Sequence, residues 1–499
     1  MRSSILIAWR YAACGRGLTS SALFPLMLSK LAPIMRGLVP PIIILILCCA
    51  APRLRAVDPV PESKQGALAL KVLDAYHGKR PTVPPKKLHV VYFTPADREP
   101  EPRYCERLDA IVQDIRQFYR DGMEHLGFGP EAFDLVRDAE GKLVMHLVKG
   151  GLPESSYAKP DSEKVVKECQ PVLKTAGVSF ERETVLIFCN LAKWDEQART
   201  FSHHSPYYGV SFTGVRGQTS GLCFALDSVI QNLADVPKKE PILDDDEYGK
   251  MSLGKFNTIF IGGVAHELGH ALSLPHCGER PDEKARGTSL MGIGNHTYRE
   301  ERRGDGRGSI LTMASAMRLA GRPLFTKSDR GLAQEPRLDN EEFQLSTNVT
   351  RKDLVGRKGL MRVEGTVKGS PPIYGVIAYF DSTRDGGYHA PTATAVPDAK
   401  GRFAIEISDL APCRNGEFRL EFCHANGAVS ARRSPFRVTR DGQMDLEQWQ
   451  VQQALGPLVQ AVLHNDRTVA SAELGRIEKS EAPELQKVIA KNLVGTLQE

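Results

Sequence analysis

Between His266 and His276 the chain reads HELGHALSLPH, which places three imidazoles and a carboxylate within eleven positions of a sequence that has 13 histidines in all. These are side chains that hold divalent ions and move protons near neutral pH. On a helix, His266 and His270 differ by about 40° in azimuth and one turn in height, so both rings can reach one ion. Glu267 lies about 60° around from His270, off the ligand line but within reach of a water on that ion. Pro275 disfavours the α region for Leu274, so the chain leaves the helix there and can swing His276 back as a third ligand. Three protein ligands leave the fourth tetrahedral position of zinc to water, as catalytic sites require. Glu267 would then serve as general base toward a water attacking a carbonyl and return the proton to the leaving amine.

A helix must carry this constellation. In FNTIFIGGVAHELGHALSL, Phe260, Val264, Leu268, Ala271 and Leu272 recur three and four apart as one apolar stripe, and Asn257 stands where an N-cap belongs. Gly262 and Gly263, one turn before the histidines, are expected to keep space open for a ligand.

The run from His266 to His276 resembles the extended zinc motif of the metzincin metallopeptidases, and TSLMGIGN beyond it resembles their Met-turn. The resemblance covers roughly residues 86–327 and is specific between His266 and Met291. It implies an α/β (α+β) catalytic domain with a sheet-plus-helix upper lobe, an active-site helix and an irregular lower lobe. It also implies peptide-bond hydrolysis with one zinc on His266, His270 and His276, Glu267 as catalytic base, and Met291 beneath the metal. A flexible thioether suits that filler role, for which Met313 and Met317 are rival candidates. Three positions depart from the pattern. Ser273 stands where the family has a turn glycine, so a left-handed residue there would cost about 1–2 kcal/mol. Ile293 replaces a tyrosine that touches zinc in some members. Cys277 is similar to the archaemetzincin branch, but the further cysteines of that branch's second zinc site are missing.

The chain divides by pattern into five stretches. Residues 1–56 contain a signal-peptide layout, with a basic start at Arg36, an apolar run from Leu38 to Ala51 and a polar exit, and Met35 is the expected true start. An apolar run of that length is short for a bilayer span, which needs roughly 20 residues. Residues 57–85 read as a linker or short propeptide with one amphipathic patch. Residues 86–336 alternate strands such as KKLHVVYF and TVLIFCNL with helices such as the stripe of Leu108, Ile111, Val112, Ile115 and Phe118, which implies a covered sheet, and the resemblance implies that this stretch is the metallopeptidase domain. Within it, LDDDEYG lacks the spacing of a calcium loop and reads as a solvated surface loop. Short alternating segments over 337–443 read as an all-β sandwich without a constellation for chemistry. Residues 444–499 are helical by periodicity, in two or three segments.

A formal charge of +5 over 499 residues gives no electrostatic case for nucleic acid. The expected partner is a protein or peptide substrate, with membrane contact only through an uncleaved leader; the oligomeric state is open. The expected localisation, from the leader pattern, is secreted or periplasmic/cell-envelope, with membrane anchoring the weaker reading. In an exported chain Cys413 and Cys423 are the expected disulfide pair. Two alternatives stay open: a non-catalytic secreted binding or adhesion protein with a degenerate zincin lobe, and a zincin that takes its third ligand from Glu279 or Glu283.

Overall fold

A computed structural model of the chain describes residues 58–78, 86–157, 161–212, 220–480, 482 and 484–495. The leader expected within 1–56, with the start at Met35, lies outside the described residues. Among the described residues no helix is long and apolar enough to cross a membrane.

The stretch expected as a linker or propeptide carries helix α1 (Glu62–His77). Ala69 and Leu73 are fully buried in the main core. Gln65 donates to the Thr394 carbonyl at 3.0 Å, and the His77 ring nitrogens lie 2.9 Å from Ser328 Oγ and 2.8 Å from the Ala425 carbonyl oxygen. The apolar face of GALALKVL is therefore spent on the fold, and α1 is a structural element rather than a tether.

The main sheet follows from period-two strands. β1 (Lys87–Thr94) sends Leu88, Val90 and Tyr92 to one face and Val91 and Phe93 to the other, all fully buried, so both faces need cover. Helix α2 (Tyr104–His125) covers the first face through Leu108, Ile111, Val112 and Ile115. β2 (Asp134–Leu135) and β3 (Met145–Lys149) both pair parallel with β1. Helix α3 (Ser162–Thr175) covers the second face through Val165, Cys169 and Leu173. β4 (Thr184–Cys189), β5 (Tyr208–Ser211) and β6 (Gly221–Leu226) complete the sheet in the order β2-β1-β4-β6-β5. β5 is its outermost strand and runs antiparallel to β6, whereas β1, β4 and β6 are mutually parallel. Helix α4 (Leu253–Ala271), which carries the histidines, joins α2 on the first face. The acidic run sits in a hairpin of Ile242–Asp245 with Gly249–Ser252, where Asp245 Oδ1 accepts from the N–H groups of Glu247 and Tyr248.

The sandwich comprises β7 (Arg337–Ser346), β8 (Met361–Ser370), β9 (Ile373–Asp381), β10 (Thr392–Ala395), β11 (Arg402–Ile407) and β12 (Cys413–His424), with one sheet in the order β7-β8-β11 and another containing β10-β9-β12. Its Tyr374, Ile377, Tyr379 and Cys423 lie in the same continuous core as Val264 and Leu268 of α4. The stretches expected to meet at 336/337 share this core, and the described residues between 58 and 432, with 438–443, form one compact unit.

The expected Cys413–Cys423 pair is overturned. Both residues lie on the single strand β12, where a rise of about 3.4 Å per residue sets them roughly 30 Å apart, against the 7 Å a disulfide tolerates. All seven described cysteines are free. The C-terminal segment forms a compact unit of its own, in which the helices Glu447–Leu463, Arg467–Lys479 and Glu484–Gly495 bury Leu458, Ala470, Ile477 and Ala490 together.

Candidate metal centre

The cap of α4 is Ser252 rather than the expected Asn257: its hydroxyl accepts from the Lys255 N–H at 3.1 Å. Leu253 and Phe256 extend the apolar face toward the N-terminus, and this moves the start of the helix. Asn257 lies fully buried inside it, its Oδ1 accepting from the Asn232 N–H at 2.6 Å and its Nδ2 donating to the Ile230 and Leu253 carbonyls.

The two glycines do not keep a ligand pocket open. A Cβ at Gly262 would lie 2.2 Å from the Asn295 carbonyl oxygen, and one at Gly263 would lie 2.5 Å from Tyr207 Oη. Close packing of neighbouring segments requires both.

Helix α4 ends in the left-handed turn that the sequence made doubtful. Ser273 has φ +78°, with the Leu274 N–H donating to the Gly269 carbonyl at 2.9 Å and the Ser273 N–H to that of His270 at 2.8 Å. Arg318 offsets the strain of a non-glycine residue there by donating to the Ser273 carbonyl at 2.5 Å and to its Oγ at 3.2 Å. Arg318 is itself paired with Glu421 of the sandwich.

This turn brings His276 back over the helix. One ring nitrogen from each of His266, His270 and His276 lies within 4.8 Å of the others, a group that could hold a metal ion, and Nε2 of His270 and His276 are 2.9 Å apart. Tetrahedral zinc, with Zn–N near 2.0–2.1 Å, sets its ligand nitrogens about 3.3–3.4 Å apart. The other nitrogen of each ring is committed. Nδ1 of His266 lies 2.6 Å from the Leu290 carbonyl oxygen, that of His270 2.8 Å from Leu274, and that of His276 3.0 Å from Gly386.

A carbonyl oxygen can only accept, so each Nδ1 carries the proton and each neutral ring turns an Nε2 lone pair inward. Two lone pairs facing each other at 2.9 Å repel unless a cation lies between them. Burial, reinforced by the neighbouring imidazoles, pushes His266 down to about 3 and His270 down to about 4. A proton is therefore a poor choice of cation, and the donor set fits zinc. Glu279 and Glu283 do not join the three rings: Glu279 accepts from the Ser289 N–H at 3.0 Å and Glu283 from the Arg280 N–H at 2.9 Å. Cys277 Sγ is buried 3.5 Å from Thr312 Oγ1 and is likewise apart.

Glu267 points from α4 toward β5, where its Oε2 accepts the Gly209 N–H at 2.7 Å. Burial raises its carboxyl to about 7, with the Gly209 bond pulling the other way. A group poised there exchanges protons efficiently near neutral pH, and a cation among the imidazoles would favour its ionised form. Gly209 is required by contact, since a Cβ there would lie 1.7 Å from the Glu267 carbonyl oxygen.

Met291 is 1% exposed, and its Sδ would lie 2.5 Å from a Cβ at Gly269, which places the thioether directly against α4 between His266 and His270. Of its rivals, Met317 packs against Gly375 of the sandwich. The expected cost of Met291→Ala is roughly 2–5 kcal/mol, against less than about 1.5 kcal/mol for Met291→Leu. Thermal melts of the two variants check this, and an unchanged melt for Met291→Ala would remove Met291 as the floor of the site. Ile293 is 48% exposed and offers no ligand atom.

Sequence reasoning missed the part played by the sandwich. Its loop between β9 and β10 supplies the Gly386 carbonyl and lays the Tyr388 ring on His276, with centroids 3.6 Å apart and planes 28° from parallel. The only hint in the sequence is the GGY of RDGGYH, a turn followed by an aromatic residue.

No protein-family model and no curated protein matches the chain. Solved structures do. Wild-type OgpA from Akkermansia muciniphila is 22% identical, with a TM-score of 0.54, over 72% of this chain and 96% of that one. A second crystal form of it gives 23% identity and a TM-score of 0.56 over 74% and 98%. Catalytically inactive OgpA in complex with an O-glycopeptide (glycodrosocin) substrate is 22% identical, with a TM-score of 0.55 over 74% and 97%. The likeness is one of fold, a mixed α/β architecture.

Proposed function

We propose that the chain is an exported zinc-dependent peptidase that cleaves within peptide chains. The observation that carries this reading is the inward convergence of three Nε2 atoms whose partner nitrogens are all tied to carbonyl oxygens. Export rests on the leader pattern that begins at Met35.

When bound, zinc supplies Lewis acidity that activates water and polarises a carbonyl group. His266, His270 and His276 hold it as neutral donors. Glu267 takes the proton of the attacking water and delivers it to the departing amine, its carboxylate kept on the β5 side by the Gly209 N–H. β5 is the outermost strand of the sheet and lies against α4 at Gly209. An extended peptide laid along such an edge gains main-chain hydrogen bonds in register, which suits a peptide substrate. The complex of OgpA with an O-glycopeptide substrate supports the same substrate class and singles out glycosylated peptides as the first to try.

The test is elemental analysis of the purified protein together with hydrolysis of a mixed library of plain and O-glycosylated peptides, with and without a chelator. The expected result is about one zinc per chain and cleavage that chelator abolishes and zinc restores. Cleavage indifferent to chelator, or a protein without affinity for zinc, would overturn the reading.

A further inference from the structure

We propose that the β-sandwich holds the third metal ligand in place, with Tyr388 as a positioning residue for His276. The inference rests on the zinc reading above and adds to it the element that makes the site complete.

His276 is the one residue of the three that the helix does not carry. His266 and His270 are fixed to α4, and His266 is 2% exposed, whereas His276 follows the helix on a turn and is only half-buried. The loop of residues 382–391 removes its freedom on two sides. The Gly386 carbonyl accepts from Nδ1 and fixes the tautomer, and Tyr388 stacks on the ring and fixes its plane.

The loop is built for this contact. Gly386 and Gly387 have φ of +84° and +91°, and a Cβ at Gly387 would come within 3.3 Å of the His276 carbonyl oxygen. The Gly278 N–H donates to the Ala390 carbonyl at 2.8 Å, stitching the loop to the chain just past His276. Gly292 of the turn beneath accommodates the Tyr388 backbone, since a Cβ there would lie 2.8 Å from the Tyr388 carbonyl oxygen. Asp385 and His389 close the loop on itself through a 2.5 Å contact. Partners that orient a ligating imidazole typically contribute 10–100-fold in metal affinity.

The experiment measures zinc affinity of the full chain by competition with a chromogenic chelator, and melting of the metal-free protein, for wild type, Tyr388→Phe and Tyr388→Ala. Tyr388→Phe keeps the ring and is expected to bind zinc as wild type does. Tyr388→Ala is expected to bind about 10–100-fold more weakly while its metal-free form melts as wild type. If Tyr388→Ala melts early, Tyr388→Leu, which keeps bulk without the ring, is expected to weaken zinc in the same direction. Wild-type affinity in Tyr388→Ala would overturn the positioning role, as would a loss in Tyr388→Phe equal to that in Tyr388→Ala, which would assign the effect to the hydroxyl. A wild-type protein with no zinc affinity would instead overturn the metal reading itself, and this inference with it.

Discussion

Glu267→Gln is expected to keep zinc and fold while losing about 10²–10⁴-fold in peptide hydrolysis, the usual share of a general acid–base group. The substitution is nearly isosteric, and a glutamine carbonyl oxygen can still accept the Gly209 N–H that now bonds Glu267 Oε2 at 2.7 Å. What disappears is the ability to take a proton from water and return it to the amine. The metal-free variant carries a second signature. Burial raises the Glu267 carboxyl from its ordinary 4.5 to about 7, so the folded protein retains a proton there that the unfolded chain has already released. Wild type therefore loses stability as pH rises from about 4.5 through about 7. Glutamine has no such proton, so the variant should gain on wild type across that window and keep the full advantage above it. Zinc content, initial rates on a cleaved peptide and melts at two pH values check both claims. Loss of zinc together with activity would make Glu267 a ligand and end its assignment as the base.

His270→Ala is expected to release zinc, and activity with it, by more than the roughly 10–100-fold that a lost outer hydrogen bond costs a metal site. The three rings form a near-equilateral triangle, with the His270 centroid 4.8 Å from His266 and 4.5 Å from His276 and those two 5.3 Å apart. Without it the pair that remains lacks the third donor that a tetrahedral site needs. The helix itself should persist, because alanine is the best helix former and α4 is anchored by buried residues along most of its length. Circular dichroism separates loss of metal from loss of fold. A folded His270→Ala protein that still carries one zinc through desalting would remove the metal centre from this place in the molecule.

The legible part of the protein is the part in which local spacing decides geometry. On any helix, residues four apart share a face, so His266 and His270 were identifiable as a pair before any fold was known, and Pro275 marked where His276 could return. The three- and four-residue spacing of Leu108 to Phe118 announced α2, and the short apolar, β-branched run of Leu88 to Phe93 announced β1 by its length and residue types. Where local signals compete, the prediction slipped. Asn257 is a good cap by type, but the apolar face began earlier at Leu253, and burial took the asparagine into the helix.

Other features depend on contacts between residues far apart in the chain. Gly262 and Gly263 serve close packing against Asn295 and Tyr207, which no window around them contains. The left-handed turn at Ser273 receives Arg318, which is held by Glu421 of the sandwich and reaches across to the Ser273 carbonyl. Cys413 and Cys423, near in sequence, are kept apart by the extended strand they share. Helix α1 belongs to the fold because residues more than three hundred positions later, Thr394 among them, receive it. By itself, then, the sequence determined the pair of helix-borne donors, the carboxylate beside them and the periodic elements that carry them, since all of these follow from the fixed geometry of a helix or a strand. The sequence also offered His276 as the third candidate, but only the fold lays the Gly386 carbonyl and the Tyr388 ring against it, because those contacts span about a hundred residues and depend on the sandwich sharing one core with the sheet.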